Sequence, residues 1–191
     1  MEPVTPPGDA VDHGAPWLVC QIDGCPQPAG QAPATEDEVA ALTSLVAAAL
    51  GDRRGGHTIV VGLRFVDGEE MAELNASHLG QAGPTDVLSF PIDGDPAASD
   101  AGDGGRAGPD APPWLLGDIV ICPEVAAANA PGHAGTYDDE LALLVVHGVL
   151  HLLGMDHADD DERRAMQTLE RDLLQRGYGP VAGDPWGGEA S

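Results

Sequence analysis

The chain has no lysine, and its eight positive charges, all arginine, face 32 aspartates and glutamates. The formal net charge of −24 favours solubility and repels polyanions, which argues against broad, charge-driven binding of nucleic acid. Aromatic residues make up 4% of the chain, so its core must be built from Ala, Val and Leu. The three cysteines, Cys20, Cys25 and Cys122, are odd in number and lack zinc-finger spacing, which points to reduced thiols in a cytosolic protein. No apolar run approaches membrane-spanning length, and the first eight residues hold neither a basic nor an apolar signal region. With 191 residues there is material for one core, and hence for one active site.

Apolar periodicity and capping signals divide the chain into alternating elements. Residues 1–16 and 178–191 are rich in Pro and Gly and are expected to be a disordered segment and a disordered tail flanking one domain, 17–177. Strands are expected at Trp17–Ile22, Thr58–Phe65, Val87–Phe90 and Leu115–Cys122, the second of them buried on both faces. Thr35 with Glu38, and Asp67 with Glu70, are capping patterns opening helices through Leu50 and about Ser77. Pro123 opens a short helix, a further one is capped near Tyr137 or Asp138, and Asp159–Arg176 carries a stripe of Ala165, Met166, Leu169 and Leu173. The stretch 93–113 is low in complexity and reads as a solvated insertion between two strands. The expected class is therefore α/β (α+β), a small mixed sheet packed by about five helices, one of them zincin-like.

The chemistry is concentrated in His147-Gly-Val-Leu-His151-Leu-Leu-Gly154-Met-Asp156-His157. Histidines four apart leave one helix face together, and Gly154 can take a left-handed conformation that returns His157 towards them. Three imidazoles with an open fourth position suit a catalytic Zn2+. Satisfied core histidines are the alternative, but the surrounding helix is apolar on nearly every face, where each unpaired imidazole would cost ~1–3 kcal/mol. The spacing equals that of metzincin proteases, H-E-x-x-H-x-x-G-x-x-H, except that Gly148 stands where the glutamate base belongs. That substitution disfavours a metalloprotease and leaves phosphodiester hydrolysis open. Asp156 is a candidate partner of a ligand imidazole or a turn residue, and Asp118 a candidate base or structural acceptor. His13, His57, His78 and His133 have no ligand spacing.

Three blocks in order, Pro84-Thr-Asp-Val-Leu-Ser-Phe-Pro91, Leu116-Gly-Asp-Ile119 and His147 through His157, make residues 17–177 resemble the YbeY family of bacterial metal-dependent endoribonucleases, or rRNA maturation factors. The resemblance implies one zinc on His147, His151 and His157. It also implies single-strand-specific RNA cleavage, 3′-end maturation of small-subunit (16S) ribosomal RNA and ribosome quality control in the cytoplasm. Implied partners are rRNA, the small ribosomal subunit with one of its proteins, and the GTPase Era, with no membrane. A non-catalytic, zinc-stabilised assembly factor is the alternative. The sequence departs from the family where many members have an arginine before the Pro-Thr-Asp block; here stand His78, Leu79 and Gln81. Arg64, Arg163 and Arg164 are the substitutes proposed for RNA binding, with Arg53, Arg54 and Arg171 as further candidates. The arginines of the last helix would otherwise form a solvated face paired with Glu162, Glu170 and Asp172.

Overall fold

The computed structural model describes residues 15–28, 35–51, 56–97 and 111–187. Four strands, β1 (Leu18–Asp23), β2 (Ile59–Phe65), β3 (Val87–Pro91) and β4 (Trp114–Ile121), form one sheet in the order β1-β2-β4-β3. β1, β2 and β4 are parallel, and β3 closes the edge antiparallel to β4. Five α-helices accompany it: α1 (Glu36–Leu50), α2 (Gly68–His78), α3 (Pro123–Asn129), α4 (Tyr137–Leu152) and α5 (Asp160–Gly177). This is the mixed α/β architecture expected from the alternation of elements.

α4 sits at the centre because it has almost no polar face. Twelve of its residues are buried, against α1 and α5 on one side and the sheet on the other. Ile59, Val61, Leu63 and Phe65 point from β2 into this core. The opposite face of β2 is not buried: Val60 and Gly62 are half-exposed and Arg64 is exposed. The strand therefore alternates, because the second helix layer is short. There α2 covers only the β3–β4 end, through Met71, Leu88, Val120 and Cys122.

Caps follow hydrogen-bonding capacity. Thr35 and Glu38 form a full capping box, and so do Asp159 and Glu162, so the acidic run 159–161 is a helix start. Asp67 caps α2 alone, accepting from the Glu69 and Glu70 amides. α4 is capped by Thr136, just before the expected cap at Tyr137 or Asp138; its hydroxyl accepts from the Asp139 amide. Ala165, expected on the buried stripe of α5, is exposed.

The expected insertion joins β3 and β4 as a hairpin connection. Its described ends are ordered: the Asp93 amide donates to the Leu115 carbonyl at 2.9 Å, and Trp114 Nε1 to the Gly94 carbonyl at 2.8 Å. Residues 98–110 and, of the expected N-terminal segment, residues 1–14 lie outside the described residues. The expected loose tail is docked over residues 178–187. Tyr178 Oη and the Ala182 amide both donate to Asp139, the Gly183 amide donates to the Ala134 carbonyl, and Trp186 packs on the core. A glycine-rich segment can still dock where buried carboxylates offer it acceptors, which composition does not reveal. The three cysteines are free thiols, and burial pushes Cys20 up to about 11. No helix among the described residues is long and apolar enough to cross a membrane.

Candidate metal centre

The last turn of α4 is built to bend back. Gly154 has φ +82°, and the Gly154 and Met155 amides donate to the carbonyls of His151 and Leu150, closing the helix end. His157 then returns to the α4 face that carries His147 and His151. One ligand atom from each of the three lies within 4.8 Å of the others, and the Nε2 atoms of His147 and His151 are 3.0 Å apart.

What these nitrogens can do depends on their far sides. His151 Nδ1 donates to the Met155 carbonyl at 2.9 Å, and His147 Nδ1 donates to Glu170 Oε1 at 2.7 Å. A carbonyl or ionised carboxylate only accepts, so each Nδ1 holds a proton, and in the neutral ring that proton leaves a lone pair turned inward at Nε2. Burial, reinforced by His147 and His157, holds His151 below its usual range, in the neutral form. Two lone pairs facing at 3.0 Å repel unless a cation lies between them. Tetrahedral zinc with Zn–N of about 2.0–2.1 Å would hold two nitrogens roughly 3.3 Å apart, so the donor set fits such an ion.

Glu170 is the site residue that the sequence reading misplaced. It was expected on the solvated face of α5, yet it is buried. Its carboxylate accepts from His147 Nδ1 and, at 2.9 Å, from Trp186 Nε1. Burial alone would raise its pKa; the bonds it accepts from His147 and Trp186 outweigh that and hold Glu170 below its usual range. The signal was present, since Glu170 shares its stripe with Met166, Leu173 and Leu174. Trp186 had no such signal, because it lies in the tail, where Arg171 stacks 4.6 Å over its ring. Carboxylate partners of ligand histidines typically contribute 10–100-fold in metal affinity. We therefore expect Glu170→Gln to weaken zinc binding by about that factor, measured by chelator competition; unchanged affinity would remove Glu170 from the site.

The other candidates separate by face. Asp156 accepts from its neighbour's amide, His157 N, at 2.7 Å, the bond of a turn residue; the imidazole partners are Glu170 and Met155. Asp118 is on the wrong side of the sheet for the cluster. Adjacent Ile119 packs under α4, whereas Asp118 points to the opposite face and lies over Gly62. Arg64 shares that outer face, bonded to Glu70 and 3.9 Å from Asp23. Arg164 is 69% exposed and pairs with Asp161. Arg163 alone of the three lines the cavity of the cluster, paired at 2.9 Å with Asp160. Arg53 and Arg54 lie outside the described residues. His57 stacks near Trp114 and His78 against Phe90, while His133 lines the cavity.

That cavity, of ≈ 380 Å³, has a floor of Val87, Leu143, Leu144 and Met166. Gly148, on the far side of α4, does not open towards the histidine cluster. A Cβ there would come within 2.7 Å of Ile119 Cγ2, so the glycine lets α4 press onto β4. Gly117 serves the same contact from the strand. It sits at a β-bulge with φ +146°, and a Cβ would meet the Phe90 carbonyl at 2.3 Å and Leu152 Cδ2 at 2.8 Å.

Residues 30–177 match the family model described as Endoribonuclease YbeY. The chain belongs to the YbeY family. Among proteins named Endoribonuclease YbeY, that of Salinispora tropica is 54% identical over 110 residues, covering 58% of this chain and 69% of its own length. That of Kineococcus radiotolerans is 51% identical over 112 residues, and the match spans 58% of this chain but only 60% of the relative. The YbeY of Thermobifida fusca is 42% identical over 142 residues, 74% of this chain and 85% of its own. The solution structure of TM1509 from Thermotoga maritima shares the fold with a TM-score of 0.52 at 25% identity, over 84% of this chain and 90% of that one. The docked segment 178–187, with Trp186, falls beyond the residues that the YbeY model matches.

Proposed function

We propose that this chain is a zinc-dependent endoribonuclease that cleaves single-stranded RNA, in the 3′-end maturation of small-subunit ribosomal RNA and in ribosome quality control. The observation that carries the reading is the pair of inward lone pairs on His147 and His151, fixed by Glu170 and Met155 and joined by His157, in a YbeY chain. Zinc on these three histidines would bring a bound water to a pKa of about 7 and offset phosphate charge. The chain's own groups do the rest. Glu170, which also accepts from Trp186, holds the His147 ring, the cavity floor is apolar, and Arg163 is available to a phosphate once it leaves Asp160. An exposed pair of that kind is worth ~0.2–1 kcal/mol, so exchanging it for a phosphate contact costs little. The cytoplasm as location, and the small ribosomal subunit and the GTPase Era as partners, belong to the same proposal and are supported by the family resemblance.

A non-catalytic assembly factor stabilised by zinc is the second reading. Leu79 favours it: this side chain stands where many members have arginine, is 54% exposed, and cannot contact phosphate. The test is cleavage of a single-stranded RNA by wild type and by His157→Ala from parallel preparations, with zinc measured on the same samples. Cleavage by wild type and its loss in His157→Ala are expected. Equal residual cleavage would point to a contaminating nuclease and favour the assembly factor. Peptide hydrolysis has no support, because position 148 faces the sheet.

A further inference from the structure

Among the described residues, six charged or titratable side chains line the cavity: Asp86, His133, His147, His157, Arg163 and Glu170. Five are committed. His147 and His157 belong to the metal cluster, and Glu170 is held between His147 and Trp186. Asp86 accepts from the Val87 amide, the Thr85 hydroxyl and Asn129 Nδ2, which uses both of its oxygens. Arg163 keeps its proton at any working pH. His133 remains as a group that can give or take a proton there.

Its setting is specific. His133 Nδ1 lies 2.9 and 2.8 Å from the two carboxylate oxygens of Glu140. Glu140 is 0% exposed, and its other bond comes from the Ala134 amide at 3.2 Å. The His133 side chain is 42% exposed, so the ring is anchored at Nδ1 while its other edge is open to the cavity. A buried carboxylate is costly unless a cation faces it, and here that partner is an imidazole. An arginine would satisfy Glu140 with a permanent charge and a two-pronged bond; histidine brings a proton that can leave. This is the arrangement by which a buried acid orients a catalytic histidine and stabilises its protonated form.

We propose that His133, held by Glu140, is the proton donor to the leaving oxygen in RNA cleavage; the inference rests on the nuclease reading above. As the attacking water oxygen bonds to phosphorus, the bond from phosphorus to the bridging ribose oxygen breaks and its electron pair stays on that oxygen. Nε2 of His133 gives this oxygen its proton, and Nδ1–H stays with Glu140. The proton lost by the water passes to solvent, and solvent reprotonates His133. One water and one phosphodiester become a phosphomonoester and an alcohol.

The test compares an RNA with the same RNA carrying sulfur in place of the scissile bridging oxygen. A thiolate is a far weaker base than an alkoxide and leaves without a proton. With zinc-loaded protein, His133→Asn is expected to lower kcat on the oxygen substrate about 10²–10⁴-fold, with KM and zinc content unchanged. The same variant should cleave the sulfur substrate at the wild-type rate. His133 is partly exposed and His133→Asn should fold; Glu140→Gln, a buried and nearly isosteric change, should give the same split between substrates. An equal loss on both substrates, or no loss on either, would overturn the assignment. Wild type that cleaves neither substrate would overturn the nuclease reading and this assignment with it.

Discussion

His151→Ala is expected to leave the purified protein without stoichiometric zinc. The ring it removes carries one of the two nitrogens that face each other at 3.0 Å, and the described residues offer no spare ligand at that point. Asp156 is occupied by the His157 amide, and Glu170 by His147 and Trp186. The loss should therefore exceed the roughly 10–100-fold that follows removal of an outer partner such as Glu170. Stability should follow the same course. A ligand at a thousand times its Kd stabilises the folded state by about 4 kcal/mol, so zinc should raise the Tm of wild type and leave that of His151→Ala unmoved. Elemental analysis and thermal unfolding with and without added zinc measure both. One zinc per chain retained by His151→Ala would remove the site.

Gly148→Glu should abolish folding rather than create a protease. The substitution restores the metzincin pattern on paper, yet it places a carboxylate where even a methyl group would approach Ile119 within 2.7 Å. Overpacking costs ~1–3 kcal/mol, and an unpaired charge driven between α4 and β4 adds several more. The total rivals the 5–15 kcal/mol that holds a typical domain together. Gly148→Ala separates the terms. It gains about 1 kcal/mol of helix propensity and still meets Ile119, so a smaller destabilisation is expected. Urea unfolding of the three proteins is the measurement. A folded Gly148→Glu protein that hydrolyses casein would overturn this account of Gly148.

Gly148 also shows where the sequence was legible in the wrong terms. The missing glutamate was visible and argued against proteolysis. The reason for a glycine was not, because Ile119 lies 29 positions away on another element and periodicity carries no information about that distance. Glu170 is the complementary case. Its place on an apolar stripe was readable, but charge pairing within α5 offered a cheaper account until α4 supplied the acceptor's partner. Asp118 failed for a related reason. One acidic residue in an apolar strand is equally compatible with either face, and only the packing of Ile119 under α4 fixes which face it takes.

What the sequence determined by itself is local. Helix spans followed from caps and apolar stripes, and the approach of three histidines from i, i+4 spacing with a glycine reversal at Gly154. Those features depend on neighbours within a few residues, where bond geometry sets the outcome. Tertiary structure decided everything that joins distant residues. It set the proton positions on His147 and His151 and placed Arg163 in the cavity with Arg64 outside it. It brought Trp186 onto Glu170 and paired His133 with a fully buried Glu140. Such contacts are settled by the packing of α4 between the sheet and α5, because a buried polar group bonds to whatever the fold brings within reach.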